Sequence, residues 1–190
     1  MLQKIFTLAT LIMSPLFLLG HGAHGGGIME GLTHPIFGLD HFIAILGTGV
    51  LGYLLNPSKW YLPLLAFLGL MIIGGFLGIS NEATFLLEKI IAFSVLAIGT
   101  AIAFKLRVGL IPVLVVVGIF GFCHGYAHGA EMSETNTALK YISGYSIGTL
   151  IASTLGMLLA RLVNSQSQGE INCRILGGVI MGCGIMILMS

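Results

Sequence analysis

Three residues that can bind metal lie at the end of a long apolar stretch: His124, His128 and Glu131. At about 100° per residue in an α-helix, positions i, i+4 and i+7 fall within roughly 60° of one another. The three side chains would therefore share one face of a helix. Imidazole and carboxylate groups on one face can bind a divalent transition metal. The spacing predicts a metal site at the end of this helix.

A second cluster, His34, Asp40 and His41, stands at the start of another apolar stretch. The two stretches run in opposite directions across a membrane, and the helical rise places both clusters roughly 8–10 Å below the same face. A charge near mid-bilayer costs about 2.5–3.5 kcal/mol and usually faces the bundle interior. Nickel, cobalt or zinc would offset the burial of Asp40. Alternatively, Asp40 pairs with His41 or His124 and bridges the helices.

Two further histidines, His21 and His24, lie in a glycine-rich segment ahead of the second cluster. Cleavage after Gly20 would leave a terminal amine beside both imidazoles, and this group could capture metal outside the membrane. The alternative is a solvated, flexible leader. Cys123 adjoins His124 and is a candidate soft ligand, although a packing role is the simpler interpretation. The odd number of cysteines, 3, argues against a disulfide framework.

The composition is that of a polytopic membrane protein. Charged residues make up 8% of the chain, against about 25% in soluble domains. Apolar residues make up 56% and the mean hydropathy is +1.03. A net charge of +1 without a basic stripe excludes a nucleic-acid partner. The lipid bilayer is the expected environment.

Polar residues divide the chain into six apolar runs, and 190 residues suffice for about six spans. The runs are continuously apolar and do not alternate as the strands of a membrane barrel do, so we predict an all-α bundle of about six transmembrane helices. The predicted spans cover residues 35–55, 60–79, 85–104, 108–128, 141–162 and 175–189.

The first residues have the pattern of a secretory signal peptide. Lys4 precedes an apolar stretch of suitable length, and small residues follow near residues 20–23, where cleavage is expected. An uncleaved first transmembrane helix is the alternative. The expected organisation is a signal peptide at residues 1–20, an external leader at 21–34 and a six-helix transmembrane domain at 35–190.

Basic residues predict the orientation of the domain. With the mature N-terminus outside, the loops on the cytoplasmic side contain five lysines and arginines and the external side contains two. This asymmetry follows the positive-inside rule, and an external N-terminus also agrees with a cleaved signal. The cytoplasmic set is Lys59, Lys105, Arg107, Arg161 and Arg174, and the external set is Lys89 and Lys140.

Glycines repeat every four residues in several of the runs. Small residues at this spacing allow transmembrane helices to approach closely, so these positions are predicted helix contacts. They are Gly74 and Gly78, Gly121, Gly125 and Gly129, Gly144 and Gly148, and Gly178 and Gly182.

The two clusters lie in motifs that resemble those of a known family. His-Pro-Ile-Phe-Gly-Leu-Asp-His at residues 34–41 resembles the first-helix motif of the HupE/UreJ family, and Gly-Phe-Cys-His-Gly-Tyr-Ala-His-Gly-Ala-Glu at residues 121–131 resembles its second. These proteins are bacterial nickel or cobalt permeases with a cleaved signal and about six helices. Two departures are Cys123, where a small or aromatic residue is expected, and Met132–Ser133, where proline is common.

The resemblance implies a secondary permease for Ni²⁺ or Co²⁺ in the bacterial inner (plasma) membrane. It implies that the metal path is lined by His34, Asp40, His41, His124, His128 and Glu131. We expect the ion as transported substrate, no permanently bound cofactor and no enzymatic activity; a P-loop for ATP hydrolysis is missing. The alternatives are a membrane-embedded zinc hydrolase that uses the same cluster and a bundle with haem between histidines.

Overall fold

In the computed structural model, the described residues 27–82, 84–133 and 137–190 form α-helices joined by short connections, without any strand. This confirms the predicted all-α class. The predicted signal peptide, His21 and His24 lie outside the described residues. The helices are α1 Ile28–Phe37, α2 Leu39–Leu55, α3 Tyr61–Gly78, α4 Phe85–Ala103, α5 Leu110–Ala130, α6 Ala138–Asn164 and α7 Gly169–Met189, with a 3₁₀ turn at Pro57–Lys59.

The helices α3 to α7 are long and apolar enough to cross a membrane, and α1 with α2 makes a sixth crossing if the bent pair counts as one span. The bounds of α3 to α6 agree with the predicted runs to within a few residues, whereas the first and last runs differ more. The last run was predicted to begin at residue 175, whereas α7 begins at Gly169. Polar residues at the edge of a membrane do not stop a helix, because its backbone hydrogen bonds are internal.

The first predicted span is broken at Gly38, where α1 and α2 meet at 83°. Gly38 has extended backbone angles. Its amide donates to the carbonyl of His34 at the end of α1, and its carbonyl accepts from the amide of Phe42 at the start of α2. Pro35 was expected in the first turn of a span, but it lies in the second half of α1. Residues 28–34, assigned above to the external leader, form most of α1.

Glycines bring α5 against α3 along most of their length. A side-chain carbon at Gly121, Gly125 or Gly129 would overlap a backbone carbonyl of α3, and one at Gly74 would overlap the carbonyl of Phe122. The predicted contacts on these helices are therefore confirmed. Such close backbone approach fixes the depth of α5, and hence of its histidines, relative to α3.

Glycines also bring α1 against α6, since a carbon at Gly144 would overlap the carbonyl of Ile28 and one at Gly148 would lie 2.9 Å from that of Leu32. The predicted contacts of Gly178 and Gly182 are wrong, because both face open space. On α7 the close contacts to α4 come from Gly177 and Gly184 instead.

The basic residues expected in the cytoplasm gather at one end of the bundle. Lys105 donates to Glu170 at 2.7 Å and Arg174 donates to the carbonyl of Ala103 at 2.9 Å. We call this the basic end. The opposite end carries the α1–α2 break and the end of α5, and with them both clusters of histidines.

Candidate metal site

Four imidazoles from three helices meet inside the bundle. The ring centroid of His41 on α2 lies 4.5 Å from that of His128 and 5.0 Å from that of His124, both on α5. His34 on α1 lies 4.9 Å from His128. His124 and His128 are fully buried, and His41 is 7% exposed. The structure thus brings the two sequence clusters together at one level.

Asp40 holds His41 in place from the same helix. Its Oδ1 lies 2.8 Å from Nδ1 of His41 and also accepts the backbone N–H of His41 at 2.8 Å. That amide belongs to the first turn of α2, where backbone donors lack partners within the helix. A carboxylate on one ring nitrogen fixes the tautomer and leaves the lone pair of the other nitrogen for a metal. The contact is the pairing of Asp40 with His41 that the sequence offered as the alternative to a direct ligand, but it is made within α2 and does not bridge two helices.

His124 is oriented by its own helix. Its Nδ1 donates to the carbonyl of Phe120 at 2.8 Å, which places the lone pair on Nε2. Phe67 of α3 packs against the ring, with centroids 5.1 Å apart. The nitrogen left with a free lone pair is the one that a metal needs.

His128 is held by stacking. Its ring lies 5.3 Å from that of Tyr145 with 21° between the planes. Neither ring nitrogen has a hydrogen-bond partner among the described residues. One nitrogen of a neutral imidazole carries a lone pair, so this side chain also offers a ligand atom.

A second group lies toward the surface. Nε2 of His34 donates to Oε2 of Glu131 at 2.8 Å, and with His128 these residues offer ligand atoms within 4.8 Å of one another. The bond from His34 lowers the pKa of the Glu131 carboxyl, so the residue is an anion. Glu131 follows the last residue of α5 and is exposed. We call His34, His128 and Glu131 the outer group, and His41 with His124 the inner pair.

Unpaired nitrogens make this arrangement costly without a ligand. Within the described residues, the buried atoms that lack a partner include Nε2 of His41, Nε2 of His124 and both ring nitrogens of His128. An unsatisfied buried polar group costs about 1–3 kcal/mol. A divalent transition metal accepts lone pairs from several imidazoles at once and would offset this cost. The donor set therefore fits such an ion.

A cavity of about 570 Å³ connects the site to the end of the bundle. Asp40 and His41 line it on one side, and Glu131 and the exposed Glu88 line it elsewhere. Lys89 also lines it, but its ammonium donates to the carbonyl of Leu188 at 3.2 Å and lies over the ring of Phe85. We call this cavity the vestibule. Its carboxylates attract cations.

Some site residues were not predicted, and one candidate falls outside. Tyr145 stacks on His128, and Glu88 lines the vestibule; neither carries a sequence signal, because both depend on which helices become neighbours. Cys123 is partly exposed and belongs to no group of three candidate ligands among the described residues.

The fold and the site define a polytopic helical membrane protein with a buried cluster of histidines at one end. Residues 8–187 match the family described as HupE / UreJ protein. The chain belongs to this family, and its members transport metal across membranes.

One relative is Protein HupE of Rhizobium leguminosarum bv. viciae. It is 33% identical over 190 residues, which is 99% of this chain and 98% of that protein. No solved structure matches the chain. These findings give no support to the hydrolase alternative.

Proposed function

We propose that this protein is a secondary permease that takes up Ni²⁺ or Co²⁺ through the imidazole cluster. The observation that carries the proposal is the convergence of His41, His124 and His128, which are buried and have unpaired ring nitrogens. Imidazole ligands suit nickel and cobalt. Membership of the HupE / UreJ family supports transport as the use of the site.

The order of the ligands suggests how an ion enters. The carboxylates of the vestibule raise the local concentration of cations. The outer group contains the exposed Glu131, so it can meet a hydrated ion first. The inner pair is buried. The ring centroid of His128 lies 4.9 Å from that of His34 in the outer group and 4.5 Å from that of His41 in the inner pair. The ion would exchange water for imidazoles stepwise, with His128 as the shared ligand.

The direction of transport follows from the proposed orientation. The basic end carries Lys59, Lys105, Arg107, Arg161 and Arg174, and the positive-inside rule assigns such an end to the cytoplasm. The vestibule then opens on the external side of a bacterial inner membrane. Metal would enter at the vestibule and leave at the basic end. The ion is cargo, and the proposal includes no permanently bound cofactor.

Uptake of radioactive nickel and cobalt by cells that express the protein tests the proposal. Cells with the wild-type protein should accumulate one or both metals above cells with an empty vector. His124→Ala and His128→Ala should reduce uptake to the empty-vector level while both proteins still reach the membrane. Competition between the two metals in the same assay gives the preference.

Cys123→Ser is the matched control, because it changes the neighbour of His124 without removing an imidazole. It should keep wild-type uptake and preference, since Cys123 joins none of the candidate ligand groups described. Uptake that is the same with and without His124 would defeat the proposed site. Wild-type cells that accumulate neither metal would defeat the function itself.

A further inference from the structure

One face of α6 continues inward from the imidazole cluster as a buried polar stripe. Tyr145 stacks on His128, and Thr149 and Ser153 follow it at intervals of four residues, all with 0% exposure. At the helical rise these hydroxyls lie about 6 Å and 12 Å beyond Tyr145 toward the basic end. We call Thr149 and Ser153 the inner hydroxyls.

The inner hydroxyls depart from the usual bonding of serine and threonine in helices. Such hydroxyls normally donate to a carbonyl one turn back. Ser143 and Ser146 on the same helix do so, at 2.7 Å to Leu139 and 2.7 Å to Ile142. Thr149 donates across the bundle instead, and Ser153 has no partner among the described residues. Neither of these two buried hydroxyls is bonded to a carbonyl of its own helix.

The partner of Thr149 is Met71 of α3. The hydroxyl lies 3.4 Å from the thioether sulfur, and Oη of Tyr145 lies 3.3 Å from the carbonyl of the same methionine. Met71 is fully buried. A hydroxyl oxygen and a thioether sulfur therefore lie side by side near the level of His124, and Ser153 lies one turn nearer the basic end.

Two glycines bring α2 close against α6 next to Ser153. A side-chain carbon at Gly49 would overlap the carbonyl of Ser153, and one at Gly156 would overlap the carbonyl of Leu46. The buried Thr48 on α2 is the neighbour of Gly49 and donates to Ala44 at 2.9 Å. The vestibule thus lies at one end of the polar stripe, and this pair of close-packed glycines lies beside the other.

We propose that the inner hydroxyls, together with Met71, form the inward half of the ion path, a step that rests on the proposed transport function. An ion that leaves three imidazoles needs further ligands before it reaches water. Neutral oxygen and thioether groups bind nickel and cobalt more weakly than imidazoles do, and weak sites let an ion move on. This use explains why the hydroxyl of Ser153 is buried without a hydrogen-bond partner among the described residues, an arrangement that is otherwise unfavourable.

Replacing the inner hydroxyls by side chains of nearly the same shape tests whether they serve the passage of the ion or its binding at the imidazoles. The double variant Thr149→Val, Ser153→Ala should bind Co²⁺ as the wild type does when the purified protein is titrated in detergent. In proteoliposomes its initial rate of nickel or cobalt uptake should fall about tenfold, because the barrier for leaving the imidazoles rises. The matched double control, Ser143→Ala with Ser146→Ala, should change neither quantity, since these hydroxyls serve only their own helix.

Thr149→Ser keeps the hydroxyl and should keep uptake. Wild-type uptake in the hydroxyl-free double variant would overturn the path. Loss of Co²⁺ binding in that variant would also overturn it, because the hydroxyls would then belong to the imidazole site. Failure of uptake in the Thr149→Ser variant would show that the hydroxyl is not the group that matters. If the wild-type protein transports neither metal, the proposed function fails first, and the two failures are thereby distinguished.

Discussion

The carboxylate of Asp40 binds its neighbour His41 twice, once at the ring and once at the backbone amide, with the same oxygen at 2.8 Å from each nitrogen. The pair is built within the first turn of α2 and needs no other helix. One carboxylate oxygen thus holds both a backbone amide in the first turn of α2 and the ring of the imidazole. The free Nε2 of His41 is aimed at the rings of α5 as a result.

Loss of the charge on Asp40 should weaken metal binding without abolishing it. In Asp40→Asn the amide oxygen can still accept from Nδ1, but the carboxylate no longer raises the basicity of the ring. Replacing such a supporting group typically lowers metal affinity about 10- to 100-fold. Titration of the purified protein with Co²⁺, followed by its visible absorption, measures the change.

Glu88→Gln is the control for Asp40, because it removes a charge from the same vestibule at a residue that is not hydrogen-bonded to an imidazole in the described structure. It should leave the equilibrium affinity close to that of the wild type. If Asp40→Asn abolishes binding as completely as His41→Ala does, Asp40 is a direct ligand and its assignment as a positioning residue is incorrect.

A methyl group at Gly125 should destabilise the bundle. It would overlap the carbonyl of Met71, so α3 and α5 would have to separate. Overpacking of this kind costs about 1–3 kcal/mol or more. We expect Gly125→Ala to lower the melting temperature of the protein in detergent and to reduce uptake, because His124 and His128 move with α5.

Gly69→Ala provides the comparison on α3 itself. A side-chain carbon there would meet nothing within 4 Å, and alanine favours a helix more than glycine does. Its melting temperature should equal or exceed that of the wild type. A Gly125→Ala protein as stable as Gly69→Ala would mean that the two helices are not packed as described.

The orientation of the bundle can be tested by labelling single cysteines. Ser58 and Asn81 are both exposed, and they lie in connections at opposite ends of α3. In a background with all native cysteines replaced by serine, a membrane-impermeant maleimide should label Asn81→Cys in intact spheroplasts. Ser58→Cys should react only after the membrane is permeabilised. The reverse pattern would invert the direction of transport proposed here.

The number and position of the helices could be predicted because each span needs about 20 apolar residues, and such runs are visible in the chain. The bend at Gly38 could not. Gly38 has ordinary extended angles, so no local signal demands a break, and the packing of α1 on α6 supplies the reason. The same packing makes residues 28–34 part of the bundle.

Periodicity was a good guide to the histidines of α5 and a poor guide to the glycines of α7. His124 and His128 lie one turn apart and face the same interior. Gly178 and Gly182 also lie one turn apart but face open space, while Gly177 and Gly184 make the contacts. Spacing shows which residues share a face, but it does not show which face meets a neighbour.

The hydrogen bonds between site residues are difficult to predict from the sequence for a different reason. Asp40 was expected either to bind metal or to pair with His41 or His124, and the choice of His41 depends on a side-chain rotamer. The bond between His34 and Glu131 joins residues 97 positions apart, and it exists only because the bend aims His34 at the end of α5. Side-chain geometry of this kind follows from the assembled fold.

Gly38 is a one-residue joint between the two helices that carry His34 and His41. A carbon added there would lie 3.2 Å from Nδ1 of His41 and 3.4 Å from Oδ1 of Asp40, so the joint is built directly behind the pair that orients the imidazole. Its two backbone torsions fix the angle between α1 and α2, and the packing of α1 on α6 holds His34 at the position that this angle gives it. The distance between His34 and the deeper imidazoles is therefore set at a single residue.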